Sequence, residues 1–185
     1  MTIKSIAVFC GSKEGHNKMF IEDAIELAGI LVDKKITLIY GGGGFGIMGA
    51  IADEVLRREG KVIGIIPSHL ISREKQHTSL TELHEVDNMH IRKQMLYENC
   101  DAAIILPGGF GTLDEMFEII TWNQLKLHNK KIILLNSDGF YNHLIQHLRT
   151  MEQEGFLYDK IEDKITIINE PSELREILNT YSSSH

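Results

Sequence analysis

The feature that most constrains the fold is a repeated unit, in which a short apolar run ends at a turn and a helical pattern of apolar residues follows. The runs are rich in β-branched residues and do not alternate with polar ones. Such strands are buried on both faces, which is typical of a parallel sheet covered by helices on two sides. The predicted strands span residues 5–9, 36–40, 61–66, 101–106, 131–136 and 164–168.

Between and after these runs, apolar residues recur every three or four positions, which predicts amphipathic helices. The fold class predicted is therefore a doubly wound, Rossmann-like α/β fold with a parallel sheet and helices on both faces. The composition does not change along the chain and no 20–50 residue period appears, so residues 1–185 are predicted to form a single domain. The predicted helices span residues 17–34, 47–56, 88–99, 112–127, 141–153 and 172–180.

Charge and apolar run length exclude two classes of partner. The net charge is −7, from 19 Lys plus Arg against 26 Asp plus Glu, so the surface is expected to repel nucleic acid backbones and anionic membranes. The apolar runs are far shorter than the ~20 residues that cross a bilayer, and the first residues do not resemble a secretory signal. Cys10 and Cys100 are 90 positions apart, and reduced thiols are expected. We therefore expect a cytoplasmic protein that binds neither nucleic acid nor membrane.

Two turns place several glycines between a strand and the start of a helix, at residues 40–49 and 107–115. Free backbone N–H groups and the positive end of the helix dipole at such a start favour a phosphate group. Ligands of doubly wound sheets bind beyond the carboxyl ends of the strands, so both turns are expected to share one pocket. Gly43 and Gly44 of the first turn, and the hydroxyl of Ser12 after the first strand, are candidate binding groups. The alternative is that the glycines merely permit tight turns.

Cofactor motifs are incomplete in this sequence. The strand after the first glycine turn ends without the acidic residue that a dinucleotide site requires, and neither turn is followed by the Gly-Lys-Ser or Gly-Lys-Thr of a Walker A loop. The nine histidines have no metal-ligand spacing, so no metal site is predicted. No cofactor is therefore expected, and the predicted ligand is a small anion such as one monophosphate.

Two pairs of polar residues allow both a structural and a functional interpretation. Thr112 and Glu115 have the spacing of a capping box, in which the glutamate bonds back to the N-terminus of the helix. The alternative places Glu115 in the cleft beside the sugar of a nucleotide. Arg92 and Lys93 lie on a predicted helix, where a basic pair is usually solvated surface. Spacing alone leaves both pairs open.

Taken together, four segments resemble the LONELY GUY family of nucleoside 5′-monophosphate phosphoribohydrolases: Cys10-Gly11-Ser12, YGGGGFGIMG (40–49), MHIRK (89–93) and PGGFGTLDE (107–115) followed by ITWNQL (120–125). The resemblance covers residues from about 4 to about 150. It implies a homodimer with the site near the interface. It also implies that Arg92 and Glu115 are catalytic, that Gly109, Gly111 and Thr112 hold the phosphate, and that Glu74, Lys93 and Thr121 contact the substrate.

The family's activity is cleavage of the N-glycosidic bond of a cytokinin riboside 5′-monophosphate or of AMP, giving the free base and ribose 5-phosphate. The resemblance therefore implies a small-molecule nucleotide as the substrate. It also moves Glu115 from the capping box to the site and Arg92 from the surface to the site. The alternative function is a noncatalytic carrier of a nucleotide or a phosphorylated cofactor with the same fold.

Overall fold

A computed structural model describes residues 2–71 and 75–182. Within this part of the chain, seven strands form one parallel sheet in the order β4-β3-β2-β1-β5-β6-β7. The predicted doubly wound α/β class is thereby confirmed. The strands are β1 (Ser5–Phe9), β2 (Thr37–Tyr40), β3 (Val62–Pro67), β4 (Glu82–Val86), β5 (Ala102–Ile105), β6 (Lys131–Leu135) and β7 (Thr166–Ile168).

Helices cover both faces of the sheet, and the side chains of β1 show the division. Ile6 and Val8 pack into the core beneath α1, α2 and α7, whereas Ala7 and Phe9 pack into the core beneath α3, α4, α5 and α6. All four side chains are at most 2% exposed. The helices are α1 (Met19–Asp33), α2 (Gly46–Arg57), α3 (Met89–Asn99), α4 (Phe110–Gln124), α5 (Asn142–Gln153), α6 (Ile161–Lys164) and α7 (Glu173–Ser182).

The direction of winding reverses between β1 and β5, which are hydrogen-bonded neighbours although about 90 residues separate them. The chain first adds β2, β3 and β4 on one side of β1 and then returns to add β5, β6 and β7 on the other. Beyond the carboxyl ends of β1 and β5, the backbone N–H of Gly11 donates to the carbonyl oxygen of Pro107 at 3.0 Å. This is the topological switch point, where ligands of such sheets bind.

The structure differs from the prediction mainly at the two edges of the sheet. β4 was not expected, because its sequence ELHEV is polar, and as an edge strand most of its side chains are exposed or partly exposed. The four-residue helix α6 was also missed, and it includes Lys164, which had been assigned to the last strand. In the described part of the chain, no helix has the length and apolar character needed to span a bilayer.

Candidate active site

A cavity of about 450 Å³ opens at the switch point. Its walls come from the loop after β1, the first residue after β2, the glycine turn after β5, and side chains of α2, α3 and α4. The residues that line it include Cys10, Ser12, Gly41, Arg92, Gly109, Gly111, Thr112 and Glu115. The two helix starts predicted to share a pocket therefore do so, because Ile47 and Met48 of α2 line the same cavity.

The start of α4 presents free donors to this cavity. Gly109 is the N-cap residue, and the first hydrogen bond of the helix runs from the N–H of Leu113 to the carbonyl oxygen of Gly109 at 3.2 Å. The N–H groups of residues 110 to 112 therefore have no partner within the helix. Three adjacent N–H groups and the positive end of the helix dipole favour an anion, such as a phosphate group, at this helix start.

Gly109 and Gly111 leave space above these donors. A Cβ built at either glycine would lie in open space, and neither residue has a positive φ that would require glycine. Glycine inside a helix costs up to about 1 kcal/mol relative to alanine, so Gly111 in the first turn of α4 is unfavourable for the fold. Helix propensity therefore does not explain Gly111, and both glycines leave open space beside the amides.

Arg92 reaches the cavity from α3 and is 6% exposed. Its guanidinium passes directly against Gly41, where a Cβ would overlap the Nη2 atom. Nη1 contacts the sulfur of Met89 at 3.7 Å, and Nε has no hydrogen-bond partner among the described residues. An unsatisfied buried donor costs about 1–3 kcal/mol, so the buried side chain of Arg92 is not explained by stability.

Glu115 faces Arg92, with 3.6 Å between its Oε1 atom and the Nη2 atom of the arginine. It is 8% exposed and lies one turn beyond the amides of the helix start. The capping-box interpretation is wrong, because the N-cap is Gly109 and not Thr112, and glycine has no side chain that could close the box. Thr112 is instead buried in the first turn, with its side chain against Gly108.

Cys10 lines the same cavity as a neutral thiol. Burial raises its pKa far above the usual range, and the negative charge of Glu115 raises it further. A thiol that keeps its proton is a poor nucleophile. Cys10 is therefore not an activated nucleophile in this cavity.

The first glycine turn mainly supports the site from behind. The N–H of Gly44 donates to the carbonyl oxygen of Lys75 at 2.9 Å, and Gly43 forms an isolated bridge with Gln76. Neither glycine is among the residues that line the cavity. Gly46 packs against the backbone of the loop after β1, where a Cβ would overlap Ser12. The glycines of this turn thus allow close backbone packing, while Gly41 makes room for Arg92.

Of the other site residues predicted from the sequence, some line the cavity and others lie outside it. Ser12 lines the cavity as an exposed residue. Lys93 is not among the lining residues, and its Nζ lies 2.7 Å from Asp114 Oδ2. Thr121 is exposed on α4 outside the cavity and donates to the carbonyl oxygen of Phe117 at 2.7 Å. Glu74 lies outside the described residues.

The role of Gly41 and the aromatic end of the cavity were not predicted from the sequence. Phe20 and Phe140 line this end with their ring centroids 5.3 Å apart, although they are 120 positions apart in sequence. The position of Gly41, directly after β2, could have identified it. No local pattern pairs the two phenylalanines.

The fold and the cavity define a doubly wound α/β protein with an open cavity at the topological switch point of its parallel sheet. Residues 48–178 match the family model described as "Possible lysine decarboxylase". A protein of Oryza sativa subsp. japonica, named probable cytokinin riboside 5′-monophosphate phosphoribohydrolase LOGL2, is 41% identical over 98% of this chain and 75% of its own length. Cytokinin riboside 5′-monophosphate phosphoribohydrolase LOG3 of Arabidopsis thaliana is 40% identical over 98% of this chain and 85% of its own length. The chain belongs to the family of these proteins.

Solved structures share the fold at lower sequence identity. The molybdenum cofactor binding protein from the phototrophic bacterium Rippkaea orientalis has a TM-score of 0.73 and 21% identity, with 99% of both chains covered. The Moco carrier protein from Chlamydomonas reinhardtii has a TM-score of 0.71 and 14% identity, with 98% of both chains covered. At this level of sequence identity, these similarities establish the fold alone and do not identify a ligand.

Proposed function

We propose that the protein is a nucleoside 5′-monophosphate phosphoribohydrolase. It cleaves the N-glycosidic bond of AMP or of a cytokinin riboside 5′-monophosphate and releases the free base and ribose 5-phosphate. The observation that carries this proposal is the pairing of buried Arg92 with buried Glu115, one turn beyond a helix start whose glycines leave room for a phosphate. The names of the plant relatives support the same reaction.

The phosphate is the anchor of the substrate. The N–H groups at the start of α4 bind it, and Gly109 and Gly111 admit it close to the backbone. The phosphate is remote from the bond that breaks, so its binding energy positions C1′ of the ribose near Glu115. A nucleoside without the phosphate is therefore expected to react poorly.

Glu115 acts on the sugar. Breaking the C–N bond builds positive charge on the ribose, as in other glycoside cleavages, and a carboxylate beside the ring stabilises this charge. The same carboxylate holds a ribose hydroxyl and orients the attacking water. The oxygen of the water bonds to C1′ as the C–N bond breaks, and the proton that the water loses balances the proton that the departing base gains.

Arg92 stabilises negative charge that develops on the nucleotide. A guanidinium keeps its proton at neutral pH, so its contribution is electrostatic rather than general-acid catalysis. Its burial strengthens this interaction, because little water competes for the cation. The Nε atom has no hydrogen-bond partner in the described part of the chain and is a donor available to the substrate.

The remaining sequence-predicted residues have supporting roles in this proposal. Thr112 and Ser12 line the cavity and offer hydroxyl groups to the phosphate. Gly43 and Gly44 act through the backbone of their turn. Glu74 contacts the substrate in this proposal, as the family resemblance implies.

We further propose that the protein is a homodimer through the exposed apolar side of α4 and the residues that follow it. Phe117 is 38% exposed, Leu125 62% and Leu127 64%, which is a large apolar surface for one helix end. Thr121 lies on the same helix, outside the cavity, so its contact with substrate would require the dimer. Light scattering at micromolar concentration tests this, with a dimer mass expected and a monomer mass contradicting it.

We also propose a cytoplasmic location, because the two cysteines are buried, unpaired thiols. Fractionation of cells tests this location. Recovery of the protein with the cytoplasmic fraction is the expected result, and recovery with secreted or membrane material is the contrary one.

Base release from a substrate panel tests the activity. Purified protein is incubated with AMP, isopentenyl-AMP, GMP, CMP and adenosine, and the free base is measured by chromatography. We expect release from AMP, isopentenyl-AMP or both, and far less from adenosine. Absence of base release from every nucleotide, together with a rise in Tm on adding AMP, would instead favour the carrier.

Glu115→Gln tests the carboxylate in the same assay. It keeps the shape of the side chain and removes its charge, so turnover should fall by at least ~10²-fold with the fold intact. Glu85→Gln on the exposed edge strand is the matched control and should leave turnover unchanged. Unchanged turnover in Glu115→Gln would exclude the assigned role.

A further inference from the structure

The contact between Arg92 and Glu115 is too long to position the two side chains by itself. The Nη2 atom of Arg92 and the Oε1 atom of Glu115 are 3.6 Å apart, beyond the range of a hydrogen bond. Arg92 also gains no hydrogen bond at Nε from the described residues. A catalytic pair requires placement within about 0.5 Å, so other contacts must hold the two helices that carry it.

Four side chains beside the cavity supply such contacts, and we call them the interhelix clamp: Lys93 and Tyr97 on α3, and Asp114 and Glu118 on α4. Lys93 Nζ lies 2.7 Å from Asp114 Oδ2 and 3.0 Å from Glu118 Oε2. The hydroxyl of Tyr97 donates to the same Oε2 atom at 2.8 Å. Glu118 therefore joins both α3 residues, which are one helical turn apart.

The clamp lies next to the catalytic pair in sequence as well as in space. Lys93 directly follows Arg92, and Asp114 directly precedes Glu115. The hydroxyl of Tyr97 also lies 3.4 Å from the backbone carbonyl oxygen of Glu115. A change in the clamp would therefore move the backbone from which each catalytic side chain extends.

Burial and charge keep the clamp in one state at neutral pH. The side chain of Lys93 is only 15% exposed, and burial alone would lower its pKa, but the carboxylates of Asp114 and Glu118 raise it overall. Burial, followed by the hydrogen bond to Glu118, raises the pKa of Tyr97 far above its usual range. The lysine therefore stays charged and the tyrosine stays a donor.

The ring of Tyr97 is held independently of its hydroxyl. It packs edge-to-face on Phe9, with ring centroids 6.0 Å apart, and on Trp122, with centroids 5.1 Å apart. Tyr97→Phe therefore removes the hydrogen bond and keeps the packing. This makes the hydroxyl a separable part of the clamp.

We infer that the interhelix clamp is a positioning device for the reaction, with Tyr97 and Glu118 as positioning residues and Lys93 as the cation that joins the two helices. This inference rests on the proposed hydrolase function. It assigns Lys93 a role through its neighbours, whereas the family resemblance implies direct contact with the substrate.

Kinetics separate the two roles of Lys93. The phosphate site at the start of α4 does not include the clamp, so Lys93→Met, Tyr97→Phe and Glu118→Gln should each lower kcat for AMP by about 10-fold and leave KM within about 3-fold. Lys93→Arg keeps the cation and should recover much of the loss. In Lys93→Met combined with Glu118→Gln, the loss should be clearly smaller than the product of the single losses, because both changes break the same contact.

Glu82→Gln is the matched control, because it breaks an ion pair with Lys61 of the same 2.7 Å length on the edge strand β4, away from the cavity. It should change neither kcat nor KM. A rise in KM confined to Lys93→Met, with wild-type kinetics in Tyr97→Phe and Glu118→Gln, would overturn the inference and favour direct contact. A lower Tm with unchanged kcat in all three clamp variants would also overturn it, because the clamp would then be purely structural.

A crystal structure of Glu118→Gln tests the clamp separately from the activity. The inference predicts that the distance between Arg92 Nη2 and Glu115 Oε1 changes by about 0.5 Å or more from the value in a wild-type crystal. An unchanged distance would overturn the clamp even if the enzyme cleaves AMP. Absence of cleavage by the wild-type protein would instead contradict the proposed function.

Discussion

Gly41→Ala is expected to disable the enzyme through Arg92 without unfolding it. A Cβ at this position would overlap Nη2 of Arg92, and Cβ contacts under 3.0 Å are essentially never seen. The sulfur of Met48 would lie 3.3 Å from the added Cβ, which is close but tolerable. Arg92 is therefore the side chain that must move. The guanidinium must therefore move by about 1 Å, a displacement that can cost ~10²-fold in rate. This is about 2.7 kcal/mol of transition-state stabilisation.

The assay is base release from AMP, with kcat and KM measured for Gly41→Ala and for a control variant. Gly29→Ala is the matched control, because its Cβ also approaches a guanidinium, that of Arg58 at 3.2 Å, but inside α1 and outside the lining of the cavity. The control should keep wild-type kinetics. Combining Gly41→Ala with Arg92→Ala should cost no more than Arg92→Ala alone. Wild-type turnover in Gly41→Ala, or additive losses in the double variant, would refute the argument.

Three further predictions address the phosphate site, the helix that carries Arg92 and the buried thiols. Gly111→Ala should raise Tm slightly, because alanine is favoured over glycine in a helix by up to about 1 kcal/mol. The added methyl group fills the phosphate space, so KM for AMP should rise at least ~10-fold. A lower Tm or an unchanged KM would contradict this. Asn88→Ala removes the side-chain oxygen that caps α3 by accepting hydrogen bonds from the N–H groups of His90 and Ile91. Calorimetry should show that the free energy of unfolding falls by about 1 kcal/mol and Tm by about 2–4 °C. An unchanged Tm would show that the cap contributes nothing to stability. Burial raises the pKa of Cys100 from 9.0 to about 11, so the folded state holds this proton more tightly than the unfolded chain. The stabilisation from Cys100 is complete below pH 9 and is lost as the pH rises through 11. Burial, with the charge of Glu115, raises the pKa of Cys10 far above its usual range, so its contribution has the same sign. Urea titrations at pH 8 and 10.5 should therefore show lower stability at the higher pH, and equal stability would contradict this.

Most of the architecture could be predicted from sequence because the strands are buried on both faces. Runs such as Ala102–Ile105 have no solvent-facing positions, so their composition alone identifies them. The edge strand Glu82–Val86 could not be found in this way, because the polar side chains of an exposed edge remove the apolar signal. Helix α4 begins two residues earlier than predicted, because Gly111 has low helix propensity and was assigned to the turn.

The candidate site was only partly predictable. The glycine turn after β5 could be interpreted locally, because a helix start after a strand predicts free N–H groups. Whether Arg92 faces solvent or Glu115 depends on how α3 packs beside α4, and the spacing within either segment does not contain that information. The resemblance to a known family implied that both residues belong to the site, and only the structure shows that they face each other. The clamp residue Tyr97 carries no motif at all, and its position appears only when the two helices are seen together.

The most direct test of the account is a crystal structure of Glu115→Gln with AMP bound. We expect the phosphate to accept hydrogen bonds from the N–H groups at the start of α4, beside Gly109 and Gly111. Ribose C1′ should lie about 3–4 Å from the side chain of residue 115, with Arg92 in contact with the nucleotide. A phosphate bound elsewhere, or a ribose turned away from residue 115 and Arg92, would contradict it.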